Sequence, residues 1–380
     1  MIHTRRLTLA IGFTQTLAWA TTYYIPATMA LPAAAEFGVS RSVLVGGFSL
    51  GLLVCGAVSP LVGRRIEHHG GRHVLAIAPL VTALGLGGLA MCPNVACWYL
   101  AWVAIGIGMA MGLYDAAFGT IGRLLGASAR PAIVGVTLMA GFASTIGWPS
   151  GTYLVAGFGW RAAVAMFAAV QVLVILPIIL ACVPDVTAEN GVSAAVHTTL
   201  PPAPPPRAFF WLAAYLTLRS ALNSAVFVHL LVLMQGLGFG LDTSVAAAAL
   251  IGPAQVGARV IDWFMGRNLS PLLTAIIGGA VLPISVLALL LGLPAPIFTL
   301  GFGASNGVFT ISRGTLPLYV FGPSGYAARV GKLAMPAMFA SALAPTLISP
   351  LVIAWPALWV MGLMGVVGFA ILFCLLMLRR

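Results

Sequence analysis

Long apolar runs follow one another along this chain at short intervals. They lie at roughly 7–31, 43–62, 74–91, 96–125, 132–156 and 162–183, then 209–234, 245–264, 272–291, 297–321, 331–354 and 357–378. Most approach or exceed the length of about 20 residues that a helix needs to cross a bilayer. The pattern therefore predicts twelve membrane-crossing helices, six and six. Four of these runs carry polar side chains at helical spacing. The first places Gln15, Trp19, Thr22 and Pro26 at i, i+4, i+7 and i+11. The seventh places Tyr215, Arg219 and Asn223 at i, i+4 and i+8, and the tenth places Asn306, Thr310 and Arg313 at i, i+4 and i+7. The fourth holds Tyr114 and Asp115 amid glycine, alanine and methionine.

The two sets of six are separated by residues 185–207, where Glu189-Asn190-Gly191 is followed by Pro201-Pro202-Ala203-Pro204-Pro205-Pro206. Proline at that density removes helix donors and favours an extended spacer. The expected organisation is an N-terminal six-helix bundle (1–184), a Pro-rich linker (185–207) and a C-terminal six-helix bundle (208–380). A repeated phrase relates the halves. Val62-Gly63-Arg64-Arg65-Ile66-Glu67 with Gly71-Arg72 returns as Val256-Gly257-Ala258-Arg259-Val260, then Asp262 and Gly266-Arg267. A polar phrase repeated half a chain away in so apolar a sequence points to a duplicated, all-α membrane fold with pseudo-two-fold symmetry. In each copy the glycine would allow close helix approach. The acid, Glu67 or Asp262, would pair with arginines or cap a helix N-terminus on the facing half.

Composition agrees with the membrane reading and removes others. The chain is 61% hydrophobic and 7% charged, with mean hydropathy +1.07; a soluble surface cannot be built from so few charges. The net charge of +11 suggests a nucleic-acid partner until the arginines are placed. With the N-terminus in the cytoplasm, Arg5, Arg6, Arg64, Arg65, Arg72, Arg123, Arg130, Arg207, Arg259, Arg267, Arg329, Lys332, Arg379 and Arg380 all fall on that side, while Arg41 and Arg161 fall opposite. So strong a positive-inside bias sets orientation, with both termini expected in the cytoplasm; a bacterial inner membrane is the expected setting. Arg5-Arg6 and Ala33-Ala34-Ala35 resemble the ends of a signal peptide, but the apolar run between them is too long and holds Gln15, Trp19, Tyr23 and Tyr24. The five cysteines are scattered, without disulfide-framework or zinc spacing. No metal, cofactor or nucleic acid is expected; the partners are a small-molecule substrate, protons and lipid, and the chain is expected to be a monomer.

Gly63, Glu67, Gly70 and Arg72 match the signature G-x-x-x-D/E-x-x-G-x-R of the major facilitator superfamily, between its second and third helices. Arg65 lies within the phrase. The second copy, with Gly257, Arg259, Asp262 and Arg267, sits between the eighth and ninth helices, where that family carries a degenerate version. Gly159-Trp160-Arg161 before the sixth run also resembles the family, and Gly147-Trp148-Pro149-Ser150-Gly151 is a loose relative of its antiporter motif. The resemblance implies the major facilitator fold, alternating access, and a central cavity lined by helices one, four, seven and ten. Those are the runs that carry the polar stripes.

Charges inside a span cost roughly 2.5–3.5 kcal/mol each on insertion scales, so each needs a partner or a purpose. Asp115, Arg219 and Arg313 stand out; Arg123 and Lys332 are close enough to span ends to snorkel. Desolvation raises a carboxyl's pKa and a nearby arginine lowers it, so Asp115 is the candidate proton-coupling group. Arg219 and Arg313 favour a small anion held in bidentate fashion. Arg313 as a snorkelling residue with Asp115 as its counter-ion is the competing account. The expected function is a proton-linked carrier of a small anionic solute. A proton-antiport exporter of drugs, metabolites or toxic oxyanions is the alternative. A membrane-embedded enzyme would need paired acids, metal-ligand spacing or an activated nucleophile on facing spans, and none is found. A channel would need a selectivity-filter run.

Overall fold

The computed structural model describes residues 4–185, 206–265 and 269–379, and among these the chain is helical, with no strand. Most of the linker and Gly266-Arg267 lie outside the described residues. The helices are α1 (Thr4–Ala20), α2 (Ile25–Phe37), α3 (Arg41–His69), α4 (Arg72–Met91), α5 (Val95–Gly112), α6 (Tyr114–Leu125), α7 (Ala129–Ala140), α8 (Ala143–Val170) and α9 (Leu176–Cys182). After the linker come α10 (Pro206–Gly236), α11 (Leu241–Ala249), α12 (Ile251–Met265), α13 (Pro271–Leu290), α14 (Ala295–Phe321), α15 (Tyr326–Ala354) and α16 (Ala357–Met377).

Several apolar runs are broken, each for a local reason. The first becomes α1 and α2, with a turn at residues 21–24. Pro26 has no N–H to give Thr22 O; the Thr22 N–H has already shifted to Trp19 O at 3.4 Å, and the Thr22 hydroxyl donates to Ala18 O at 2.6 Å. The stripe of Gln15, Trp19, Thr22 and Pro26 is therefore not one helical face; this corrects the reading from spacing. The fourth run breaks at Leu113, whose extended backbone (φ −88°, ψ −168°) separates α5 from α6. The glycines preceding it (Gly106, Gly108, Gly112) lower helix propensity there. The fifth run is α7 and the first arm of α8. Gly159, at φ +80°, turns the chain inside α8 into the sixth, which continues through a π-helical turn (Gln171–Ile175) into α9.

Among the described residues, eight stretches are long and apolar enough to cross a membrane. Val95–Cys182 holds the fourth, fifth and sixth runs, and the other seven hold one each. The two runs outside them are the broken first and α14, which is rich in Gly, Ser and Thr and carries Arg313.

The described residues form two compact units, bounded as Met1–Leu200 with Gly322–Met335 and as Pro201–Phe321 with Pro336–Arg380. The segment Gly322–Met335, read in the sequence as part of the C-terminal bundle, packs with the first unit, so α15 belongs to both. Each unit repeats one neighbour scheme. In the first, α5 packs on α3 and α4, α4 packs on α8 and α9, and α1 on α9. In the second, α14 packs on α12 and α13, α13 on α16, and α10 on α16. Second-on-fourth, third-on-fourth, third-on-sixth and first-on-sixth contacts thus recur, as duplication requires. Large apolar side chains such as Leu84 (73% exposed), Met91 (83%) and Ile353 (83%) face outward. Hydrocarbon, and not water, is the solvent in which such a surface is stable.

Candidate functional site

The repeated phrase acts very differently in its two copies. In the first unit Gly63 faces Gly331 across α3 and α15. A Cβ built on Gly63 would lie 2.4 Å from Ala327 O and 3.1 Å from the Gly331 Cα. Two hydrogens where side chains would stand let the backbones touch. That approach sets the first turn of α15 over Glu67. Its Oε1 accepts from the Gly325 N–H at 3.2 Å and its Oε2 from the Ala327 N–H at 3.0 Å. A carboxylate bonded to the unsatisfied donors of a helix start is favoured by charge and by hydrogen bonding together. Arg123, set aside in the sequence as a snorkelling residue, lies 3.9 Å from Glu67 Oε1. Arg72 donates to Leu180 O at the end of α9 (2.8 Å) and pairs with Asp185 at 3.7 Å. Gly70 ends α3 at φ +81°, and Arg65 is exposed.

In the second copy, a Cβ on Gly257 meets no atom within 4 Å. The close approach expected there is not made within its own unit, because α12 packs on α14 through other residues. Arg259 (5% exposed) and Asp262 (6%) are instead buried, and the Arg259 guanidinium donates to Thr310 Oγ1 at 3.2 Å. Arg267 lies outside the described residues.

Near the break in the fourth run, Gln15 Nε2 donates to Gly112 O at 2.6 Å, supplying a donor to a carbonyl at the helix end. Gln15 and Thr22 are each 2% exposed and line a cavity of about 20 Å³ inside the first unit, with Thr82 and Gln171. Both face the interior of their own bundle, where helical spacing predicts substrate-facing side chains. Trp19 stands 4.9 Å from the Tyr114 ring and 5.0 Å from Tyr23, and Tyr114 stacks on Phe118 at 5.1 Å. Asp115 lies in the first turn of α6, beside this aromatic group and within electrostatic reach of the Tyr326 hydroxyl.

The second unit holds a more unusual group. Arg219 is 1% exposed, and its guanidinium lies over the Phe302 ring at 5.3 Å and the Phe309 ring at 5.2 Å. Neither Nη1 nor Nη2 has a hydrogen-bond partner among the described residues, nor does Oδ1 of Asn223, one turn away on α10. Tyr215, one turn in the other direction, is 2% exposed and pairs with Ser312. Asn306 lies between the two phenylalanines on α14 and is 7% exposed; its carbonyl accepts from Thr310 Oγ1 at 3.0 Å. Arg313, a turn further on, is half-buried and engaged. Two desolvated cation–π contacts are worth about 2 kcal/mol or more each. They offset the burial of a charge but leave its terminal N–H donors unmet, and unmet buried donors are rare in folded proteins.

Residues 11–331 match the family described as Major Facilitator Superfamily. The chain belongs to that superfamily. The fold agrees with solved members: the human organic anion transporter MFSD10 (TETRAN) superposes with TM-score 0.78 at 16% identity, covering 99% of this chain and 100% of that one. The proton:xylose symporter XylE gives 0.74 at 13% identity, covering 98% and 94%. FucP, in an outward conformation, gives 0.69 at 10% identity over 100% and 99%. A multi-drug resistance efflux pump PmrA homolog of Lactococcus lactis is 35% identical over 68 residues, which is 18% of this chain and 15% of that protein. The chain is thus a membrane-embedded transporter of this superfamily, which moves small molecules across the bilayer, and not an enzyme.

Two features of this superfamily member escaped the sequence reading. Phe302 and Phe309 flank Asn306 at i−4 and i+3, so their shared face was legible, yet aromatic residues in an apolar run carry no signal of their own. The second is a clamp at the far ends of the first-unit helices. Arg161 Nη2 and Nε reach Glu36 Oε1 at 2.7 and 3.1 Å, Trp160 Nε1 donates to Glu36 Oε2 at 2.7 Å, and Arg161 also donates to Ala90 O and Cys92 O. The hydrogen bonds from Arg161, then Trp160, hold the Glu36 carboxyl below its ordinary value of 4.5. Gly159-Trp160-Arg161 is legible as a motif, but the partner of Arg161, Glu36, lies 125 positions away and carries no local signal.

Proposed function

We propose that this superfamily member is a proton-linked carrier of a small anionic solute, working by alternating access. The observation that carries the reading is Arg219, a guanidinium buried between two phenylalanine faces with both terminal nitrogens unpartnered. An oxyanion supplies what those donors lack, in the bidentate geometry that arginine fits and lysine does not. Tyr215 and Asn223, on the same face of α10, and Asn306, Thr310 and Arg313 on α14 supply the polar surroundings. In the first unit Asp115 is the proton-carrying group. It stands in the first turn of α6, beside the aromatic group and within electrostatic reach of Tyr326. Trp19, Tyr23 and Tyr114 supply apolar surface beside it. The Glu67 contact with the first turn of α15 is the latch released once per cycle, and the basic ends of the helices, with both termini, lie in the cytoplasm. On this reading the moving bodies are the bundles 1–184 and 208–380 joined by the linker 185–207, with Gly322–Met335 of the second packed on the first.

Uptake of labelled organic and inorganic anions into proteoliposomes tests this. Arg219→Ala and Arg313→Ala should abolish uptake in protein that remains folded; unchanged uptake in both ends the anion reading. Asp115→Asn should retain binding and lose the dependence of flux on a proton gradient; an intact pH response removes its coupling role. The short match to an efflux pump favours a second reading, proton antiport outward. Flux measured with the gradient imposed in each direction distinguishes the two.

A further inference from the structure

We infer that the groove between α1 and α9 binds one anionic phospholipid. Arg5 and Arg6 stand at its head, and Leu9, Phe13, Ile178 and Cys182 line the rest of an open groove of about 560 Å³. That is the size of a small-molecule site and far beyond a water pocket. Arg6, Leu9 and Phe13 follow one another at i, i+3 and i+7 on α1, so the charged head and the apolar wall lie along one helical face. Leu9 (50%) and Phe13 (45%) are exposed, as lipid-facing side chains are. Arg6 is steadied by donating from Nη2 to Ala181 O at 3.4 Å, which leaves its other donors for a ligand.

Two arginines above an apolar wall match a phosphodiester that carries acyl chains. A soluble phosphate would satisfy the head and leave the wall uncovered. No acid lines the groove. The acid following α9, Asp185, is taken by Arg72 at 3.7 Å and His73 at 3.4 Å, so it does not cancel the arginines. Basic pockets between helices at the headgroup level are where anionic lipids are held. The site also adjoins the repeated phrase. Arg6 and Arg72 donate to the consecutive carbonyls Ala181 O and Leu180 O, so a headgroup on Arg6 sits beside the helix end that Arg72 holds.

The full chain, purified in detergent, is examined by native mass spectrometry and thermal unfolding. The probes are dioleoylphosphatidylglycerol, dioleoylphosphatidylcholine and glycerol phosphate. Each arginine near a charged headgroup contributes roughly a factor of five, so the glycerol lipid should bind about thirtyfold more tightly than the choline lipid. Glycerol phosphate alone should not stabilise the protein. Arg5→Ala/Arg6→Ala should remove that preference and one bound lipid, while Arg41→Ala, an arginine at the opposite end of the helices, should keep both. Ile178→Trp fills the groove without altering charge and should also remove one bound lipid. Equal binding of the two lipids, stabilisation by glycerol phosphate alone, or a preference that survives both the arginine and tryptophan substitutions overturns the proposal. None of these outcomes depends on whether the transported solute is an anion.

Discussion

The contrast between Gly63 and Gly257 yields a quantitative prediction. A methyl group at Gly63 would sit 2.4 Å from Ala327 O, whereas an unstrained carbon–oxygen contact is about 3.3 Å or more. The helices α3 and α15 must then part by about 1 Å, or their backbones must bend. Overpacking of this kind costs about 1–3 kcal/mol. Alanine in place of glycine within a helix returns about 1 kcal/mol wherever the site is open. Gly257 is open, with nothing within 4 Å of an added Cβ. Gly257→Ala should therefore be neutral to stabilising, and Gly63→Ala should loosen the first turn of α15. Hydrogen exchange of residues 322–331 reads the effect directly, because the Gly325 and Ala327 amides bond to Glu67. Loss of 1–3 kcal/mol of docking corresponds to roughly 5- to 150-fold faster exchange there in Gly63→Ala, with the Gly257→Ala rates unchanged. Equal protection of this segment in both variants would refute the claim that the glycine pair seats α15.

Three further outcomes are expected. Arg219→Met should abolish uptake and yet raise thermal stability by about 1–4 kcal/mol, because it removes a buried charge whose terminal donors have no partner among the described residues; a fall in stability would mark Arg219 as structural. The Glu36 carboxyl is held below 4.5 by Arg161 and Trp160, so the clamp stabilises the fold above that pH and loses its contribution as pH falls through the lowered value. The Tm difference between wild type and Glu36→Gln should accordingly be full at pH 7 and vanish on acidification below 4.5, and a difference that grows with acid would reverse the assignment. Pro345 deprives Ser341 O of its helical donor, and Ser224 Oγ supplies one at 2.7 Å; Ser224→Ala should cost about 1–2 kcal/mol in thermal unfolding, the price of an unmet carbonyl.

Much of this protein was determined by local sequence. Twelve apolar runs, a proline-rich divide and a phrase spoken twice specify a duplicated helical membrane fold, because length and hydropathy alone decide whether a helix can replace water with lipid. The stripe on α10 was legible for the same reason: Tyr215, Arg219 and Asn223 lie on an unbroken helix, where spacing is geometry. Spacing failed where the helix itself failed. The first run turns at Thr21–Tyr24, ahead of Pro26, and at the break at Leu113 the Gly112 carbonyl takes its donor from Gln15, 97 positions away. Tertiary structure alone decided that Gly63 and Gly257, identical in pattern, differ in crowding. It also decided that Glu67 meets the start of α15, and that Arg219 has aromatic faces but, among the described residues, no acceptor for its two terminal nitrogens. Each is a contact between residues far apart in the chain, and a one-dimensional pattern carries periodicity but not which surfaces meet.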